Sequence, residues 1–473
     1  MGKIDLRGKR ALVIGLGRSG VAAARFLARE GACVIVEDAK PAEALADSVK
    51  ALEGLDIVFA LGGHDPRRAI ESDFIVASPG VPLDLPSISA AAEKGVPLVG
   101  EMELAVQRIT RPMIAVTGTN GKTTTTALIG HLLGRAGIRA CVAGNIGTPI
   151  LDLVDEANRS ERVVLEVSSF QLDTTPSLSA EIAVWLNATS DHIDRHGSFE
   201  NYVASKAKLF SQMGGKGFGV YNASDEAVSQ SVITSRCTLV PFDPTGRLFS
   251  GPGEGSSARG WYSGGDLFVQ THGNAPHRYP LSKVKLAGRH NRENMLAALI
   301  AASLAGAEPA ALDQGLCEFE GLPHRVQLVA EHRGVRFYDD SKGTNVGATV
   351  RAIEGFEEPI VLIAGGLAKG CDFSDLVSAV RGRVKEAVLI GEAAPDLQRT
   401  LARHTKTMIA SSMDEAVSIA VRDAEPGDVV LLSPACASFD MFRDYAHRGR
   451  AFAEAVTRFT SEDTGLGRGN GRS

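Results

Sequence analysis

Short apolar runs alternate along this chain with segments of helical length, and that alternation restricts the fold more than any other feature. Ala11–Ile14, Val34–Val36, Phe74–Ala77, Met113–Val116, Val163–Val167, Ile182–Leu186, Ile360–Ala364, Ala387–Ile390 and Val429–Leu432 read as strands buried on both faces, several followed by Gly, Ser or Asp. Buried strands separated by helices predict parallel α/β sheets built from βαβ units. At roughly 150 residues per domain, 473 residues suggest three domains. Breaks are expected near Thr110-Arg111-Pro112 and Gly321-Leu322-Pro323, giving domains 1–109, 110–321 and 322–460. The Gly-, Ser- and Pro-rich stretch Asp243–His277 reads as hairpins and loops at the edge of the middle domain. The polar, Gly-rich residues 461–473 read as a disordered tail.

Charge and cysteine content remove some classes of function. Lys and Arg total 50 against 56 Asp and Glu, a net charge of -6, so there is no global attraction to nucleic acid or to an anionic membrane. Any phosphate must be held by local groups. The six cysteines (Cys33, Cys141, Cys237, Cys317, Cys371 and Cys436) show no CxxC or metal spacing, which points to a reducing, cytoplasmic setting. Lys3, Asp5, Arg7, Lys9 and Arg10 crowd the start without a secretory apolar run, and no segment reaches membrane-spanning length. Met1-Gly2 suggests myristoylation, but Leu6 stands where Ser or Thr is needed. A monomer acting on small molecules is the expectation.

Gly118-Thr119-Asn120-Gly121-Lys122-Thr123-Thr124 follows the strand Met113–Val116 and opens a helix ending near Gly137. That is the setting of a phosphate-binding loop. Its glycines would turn backbone N–H groups toward phosphate oxygens, and the helix start adds partial positive charge. Lys122 is expected on the β- and γ-phosphates and the Thr123 hydroxyl on Mg²⁺. Val116 stands where the usual spacing has a first Gly, so the loop is a shortened variant; the alternative is a Gly-rich turn before an ordinary helix.

Gly15-Leu16-Gly17-Arg18-Ser19-Gly20 also follows a strand, and Glu37 and Asp38 end the next one. By itself this is a dinucleotide fingerprint with an acid placed for a ribose. The loop selects a diphosphate rather than nicotinamide, so a nucleotide-sugar diphosphate satisfies it equally, and a tight strand-to-helix turn remains the plain structural reading. Ser78-Pro79-Gly80 lies at another strand's carboxyl end, where open sheets bind ligands.

Glu166-Val167-Ser168-Ser169-Phe170-Gln171 ends a buried strand, and Glu166 is either a Mg²⁺ ligand or a capping or pairing acid. The loop Asn187–His196 leaves the next strand carrying Asp191, His192, Asp194 and His196. His192 is a candidate second metal ligand, while His196 reads more simply as an exposed histidine. Lys206 and Lys208 lie on a helix, where pattern alone makes either a solvated charge.

Together these pieces resemble the Mur ligase family. Gly118–Thr124, Gly144-Asn145-Ile146-Gly147, Glu166–Leu172, Asp191–Arg195, the Lys206 helix, Gly288-Arg289-His290-Asn291 and Leu322-Pro323-His324-Arg325 occur in family order over nearly the whole chain. Tyr338–Asn345 and Ser433–Asp440 look like the branch that adds D-glutamate; the motifs of the alanine- and diaminopimelate-adding branches are missing. The resemblance implies a Rossmann-like N-terminal domain for the UDP end of the substrate, a central P-loop ATPase-like α/β domain with extra β elements, and a Rossmann-like C-terminal domain for the amino acid. It implies ATP contacts from Gly118–Thr124, Asn145, Asn291, Arg325, Asp340 and Lys342. UDP-substrate contacts would come from Leu16, Arg18, Ser19, Asp38, Ser78, Pro79, Gly80, Asn145 and Ser168, although Ala39-Lys40 replaces a Thr-Arg pair near the uracil. Two Mg²⁺ (or Mn²⁺) ions are implied, one on Thr123 and Glu166, the other on His192 and a CO₂-derived carbamate of Lys206. Thr344, Lys369, Ser438, Phe439 and Tyr445 would surround D-glutamate, with Ala368 where an Asp is common. The substrates so implied are UDP-N-acetylmuramoyl-L-alanine and D-glutamate. A nicotinamide oxidoreductase would leave Lys122 unused, and a nucleotide-binding switch would not explain Glu166, His192 and Lys206 together. A folylpolyglutamate synthetase shares the ATPase core but not the N-terminal domain or Asp340–Asn345.

Overall fold

Strands with apolar side chains on both faces need both faces covered, and helices flanking a parallel sheet supply that cover. The computed structural model contains three such sheets. It describes residues 4–249, 251, 258–271, 273–286, 288–368 and 372–466.

The first sheet is parallel throughout, in the order Ile57–Leu61, Cys33–Asp38, Arg10–Ile14, Phe74–Ala77, Leu98–Gly100. The chain turns first to one side of Arg10–Ile14 and then to the other. The loops after Ile14 and after Ala77 therefore part at the sheet's switch point, where a ligand crevice forms. The second sheet runs His277–Pro280, Asp266–Gln270, Arg259–Ser263, Thr238–Asp243, Phe218–Asn222, Ile182–Trp185, Met113–Thr117, Arg162–Glu166, Ala140–Gly144. Its parallel part centres on Met113–Thr117, flanked by Arg162–Glu166 and Ile182–Trp185. Three connections thus leave one edge side by side: the loop from Gly118, the turn at Val167 and the loop from Asn187. The expected hairpins are present as the antiparallel ladder of Arg259–Ser263, Asp266–Gln270 and His277–Pro280. The third sheet pairs Gln327–His332 antiparallel with Val335–Asp339. Val429–Leu432, Ile360–Gly365, Val384–Ile390 and Lys406–Ile409 then follow in parallel.

These sheets form two compact units. One comprises Met1–Ser282 with Glu293–Leu316, the other Lys283–Arg292 with Cys317–Ser473. The boundary expected at 109/110 does not separate compact units. Ahead of it, the helix Glu101–Val106 is buried at all six residues. Glu101 accepts the Leu151 N–H at 3.0 Å and Glu103 accepts the Ser177 N–H at 3.0 Å, so both carboxylates reach across the expected break. One hydrophobic cluster continues from Leu16 and Val36 through Met102 and Leu104 to Met113, Trp185 and Leu209. The final helix, Tyr445–Leu466, takes in residues 461–466, which the sequence had placed in a disordered tail. Residues 467–473 lie outside the described residues.

Candidate active site

The loop Gly118–Gly121 is shaped by two positions that only glycine fills. Gly118 has φ 153° and Gly121 has φ 82°. A Cβ on Gly118 would come within 3.0 Å of the Leu186 Cβ, and one on Gly121 would collide with the Asn294 Oδ1. The helix Lys122–Arg135 starts at Gly121 without a side-chain cap and buries Leu128, Ile129, Leu132 and Leu133 along one stripe. Asn187 clamps the loop: its Oδ1 accepts from Thr119 N at 3.1 Å and Asn120 N at 2.9 Å, and its Nδ2 donates to Asn120 O at 3.1 Å and to Glu293. The Thr119 and Asn120 amides are therefore turned to Asn187 rather than inward as expected. Gly121 gives the first helical turn no side-chain cap. The Thr119 hydroxyl receives the Thr189 N–H at 3.0 Å and the Tyr202 hydroxyl at 3.0 Å. Lys122 folds over its own loop, its Nζ donating to Gly118 O and Thr119 O at 2.8 Å each. Thr123 lies in the same first turn.

Lys206 enters from the helix Phe199–Ser211 and is 1 % exposed. Its Nζ donates to Gly118 O at 2.9 Å and lies 4.6 Å from the centre of the Tyr202 ring. Burial, reinforced by the Lys122 charge, pushes its pKa well below the usual lysine range. The helix is held by Ser205, whose hydroxyl bonds Ser169 O at 2.9 Å and Asp173 Oδ1 at 2.7 Å. This is no solvated surface lysine. Burial there disfavours the charged ammonium.

Glu166 ends its strand 2 % exposed. One carboxylate oxygen accepts from Asn145 Nδ2 at 2.9 Å; the other, Oε2, is buried with no hydrogen-bond partner. A lone buried carboxylate oxygen beside a phosphate loop fits a hard cation. Among the described residues no three His, Cys, Asp or Glu side chains converge. An ion here would draw also on hydroxyl and phosphate oxygens. His192 caps the short helix Ile193–His196 in the left-handed region at φ 53°, a strained backbone of the kind found at functional sites. Its side chain is half exposed, with Nε2 3.7 Å from Asp191 Oδ2. His196 is more engaged than a surface histidine: Nε2 meets Ser169 Oγ at 3.0 Å, its ring stacks on Phe170, and burial lowers its pKa. Ser168, expected at the substrate, closes a capping box with Gln171.

At the first sheet's switch point, Asp38 accepts Leu16 N at 2.7 Å and Lys40 N at 2.9 Å, so it anchors the glycine loop. The Leu16 side chain is fully buried, leaving only its backbone for a ligand. Ser78 Oγ donates to Gly15 O at 2.8 Å, and a Cβ on Gly20 would strike that same carbonyl. Arg18 reaches Gly147 O, and Ser19 follows it on the helix Arg18–Arg29. Arg195 holds the Pro79 and Val81 carbonyls. The sequence reading missed Arg195 as a link, along with Asn187, Glu293 and Asn294. Each acts on residues more than 60 positions away, which no local pattern signals.

In the second unit, loops leave the carboxyl ends of Val335–Asp339, Val429–Leu432 and Ile360–Gly365. Asp340 is buried and accepts Ser433 Oγ at 2.7 Å; burial pushes its pKa up to about 7. Asp339 holds His324 Nδ1 at 2.6 Å and Ser341 N at 2.8 Å. Lys342 Nζ sits 3.8 Å from the centre of the Tyr445 ring, and Thr344 N bonds Lys342 O at 2.8 Å. Ser438 is buried, Phe439 is 64 % exposed, and Arg325 N bonds Leu322 O at 3.2 Å. Asn291 is buried in the helix Arg289–Leu304. Arg448, unforeseen from sequence, is fully buried and donates to Ser341 O at 2.9 Å and to Cys436 O at 3.1 Å, tying two of these loops together. Lys369 and the side chain of Asp194 lie outside the described residues.

Known proteins resemble this chain in sequence and in fold. The Mur ligase MurD-like N-terminal domain matches residues 9–100, the Mur ligase middle domain residues 116–302, and the Mur ligase glutamate ligase domain residues 324–436. A UDP-N-acetylmuramoylalanine--D-glutamate ligase of Geotalea daltonii is 42% identical over 97% of this chain and 100% of its own length. The protein of the same name from Acidobacterium capsulatum is 43% identical over 96% and 97%. The pseudomurein peptide ligase type C of Methanothermus fervidus superposes with a TM-score of 0.57 at 17% identity, covering 95% of this chain and 100% of that one. The UDP-N-acetylmuramate-alanine ligase of Thermotoga maritima gives 0.56 at 20% identity, over 96% and 100%. At that identity the two structures speak for the fold alone.

Proposed function

The chain belongs to the Mur ligase family, and from that premise we propose that it joins the L-alanyl carboxylate of UDP-N-acetylmuramoyl-L-alanine to the amine of D-glutamate, cleaving ATP to ADP and phosphate in the synthesis of peptidoglycan precursors. The observation that carries this reading is the buried Lys206 amine on Gly118 O of the glycine loop, in a chain that matches D-glutamate ligases over almost its whole length.

The helix start at Lys122–Thr124 receives the ATP phosphates, and Lys122 swings from its loop carbonyls to the β- and γ-phosphates. Thr123 and Glu166 would hold one Mg²⁺, and His192 with a carbamate of Lys206 would hold a second. An ammonium cannot ligate a cation, so Lys206 would serve as a carbamate: burial favours its neutral amine, which attacks the carbon of CO₂, the N–C bond forming as the amine gives up a proton to solvent. When bound, Mg²⁺ supplies neutralising charge to the transferred phosphoryl group. Asn145 orients Glu166. Arg18, Ser19 and the turn Ser78–Gly80 hold the UDP end. The substrate carboxylate oxygen bonds to the γ-phosphorus as the bond to ADP breaks, giving an acyl phosphate. The D-glutamate amine, positioned by Thr344, Lys369, Ser438, Phe439 and Tyr445, then attacks the acyl carbon. The C–N bond forms, the C–O bond to phosphate breaks, and the amine proton passes to phosphate or solvent. The ATP roles assigned from sequence to Asn291, Arg325, Asp340 and Lys342 belong to the same proposal.

Mass spectrometry of the nucleotide product tests it. With ATP, Mg²⁺ and D-glutamate, the UDP-linked acceptor should gain one glutamyl residue. An acceptor of unchanged mass would overturn the assignment.

A further inference from the structure

Arg195 stands where two parts of the first unit meet. Its guanidinium straddles a single turn, Nη1 donating to Pro79 O at 2.5 Å and Nη2 to Val81 O at 2.9 Å. Val81 N closes that turn on Ser78 O at 2.9 Å, and Ser78 Oγ fastens it to Gly15 O at 2.8 Å. The fork thus holds the wall of the switch-point crevice in the first sheet. On its other side the same guanidinium lies 4.0 Å from the centre of the Phe170 ring. Phe170 sits on the helix Ser169–Asp173, which follows the strand ending in Glu166. Its ring is 4.9 Å from the His192 ring and stacks at 5.4 Å on that of His196. A planar guanidinium can pair two carbonyls along its edge while its face lies on an aromatic ring, a combination that a lysine ammonium cannot make.

We propose that Arg195 is a positioning residue that sets the nucleotide-sugar turn Ser78–Val81 in register with the Glu166 and His192 loops, so that the acceptor's diphosphate end and its reacting carboxylate are placed by one side chain. This rests on the ligase reading above, because only a substrate spanning both loops needs their register fixed. The role is specific to the acceptor. The proposed ATP phosphates meet the Gly118–Thr124 loop, whose Thr119 and Asn120 amides are held by Asn187.

The test measures acceptor affinity by calorimetry without ATP, together with the three KM values and kcat, for wild type, Arg195→Ala and Arg195→Lys. Arg195→Ala should weaken acceptor binding and raise its KM roughly tenfold or more, with kcat falling as well, since a misplaced reacting group costs on the order of a hundredfold. The KM for ATP should stay within about twofold, as expected of a residue whose binding contribution is confined to one substrate. Arg195→Lys should fall between the two, holding one carbonyl but not the fork. Thermal unfolding of each variant separates this from loss of fold: a purely structural role would lower the melting temperature and the active fraction and leave the acceptor KM alone. Wild-type acceptor affinity and KM in folded Arg195→Ala and Arg195→Lys would overturn the role of Arg195. Failure of the wild-type chain itself to bind the acceptor would instead overturn the ligase reading.

Discussion

At Lys206 the fold holds an amine where its proton is disfavoured. The side chain is buried against Gly118 O and the Tyr202 ring, close to a second lysine. A positive charge is costly there, and the proposed carbamate would replace it with an anion able to pair with a bound cation. Lys206→Ala should lose at least about a hundredfold in kcat, the range seen when one transition-state stabiliser is removed. Formate or acetate should restore part of that loss; full activity without any added carboxylate would remove the carbamate from the account. Asp340 presents the opposite sign. Its carboxyl ordinarily titrates near 3.8 and is raised to about 7 by burial. Between those values the folded chain keeps a proton that the unfolded chain releases, so stability falls as pH rises and the full penalty stands above pH 7. Asp340→Asn, which can still accept the Ser433 hydroxyl, should therefore raise the melting temperature more at pH 8 than at pH 5, by a few degrees. An equal shift at both values would contradict the raised pKa.

The elements show which parts of the site sequence could carry. Runs such as Met113–Val116 and Val429–Leu432 were legible because both faces are buried, so every residue is apolar. Ile57–Leu61 and Ala140–Gly144 went unnoticed: each is an edge strand, less buried than the central runs. The phosphate loop was legible from its glycines, but its clamp was not, since Asn187 and Asn294 approach through tertiary packing. Asp38 reads from spacing as a ribose acid, and the structure shows that carboxylate holding Leu16 N. A spacing rule places a residue and leaves its partner open. Gly121→Ala tests the loop as an element. The new Cβ would meet Asn294 Oδ1 at a left-handed position, and an L residue at such a φ alone costs about 1–2 kcal/mol. Urea unfolding should register at least that loss, and ATP turnover should disappear. Unchanged stability would mean the loop is held less tightly than its geometry implies.

Across the whole molecule, the three expected domains are matched by three family domains in that order, and the first two sheets lie in one compact unit. The reason lies in the helix Glu101–Val106, whose acids are buried where a linker would expose them. Burial raises the Glu101 carboxyl to about 7 while Leu151 N–H bonds it. Glu101→Gln keeps an acceptor and removes the charge. It should stabilise the chain at pH 8 and do little at pH 5, where Glu101 is already protonated in the folded state. Calorimetric scans at the two pH values check this, and a loss of stability at pH 8 would show that the charge itself is needed. Among the described residues no helix is long and apolar enough to cross a membrane.

The Gly118–Thr124 loop and the buried Glu166 carboxylate lie in one unit, and the proposed ligation depends on both. Phosphate release from ATP, followed with UDP-N-acetylmuramoyl-L-alanine and each of D-glutamate, L-glutamate, L-alanine and diaminopimelate, tests it most directly. Release that requires both the nucleotide acceptor and D-glutamate is the predicted result. Release that ignores the acceptor, or that none of the four amino acids elicits, would contradict it.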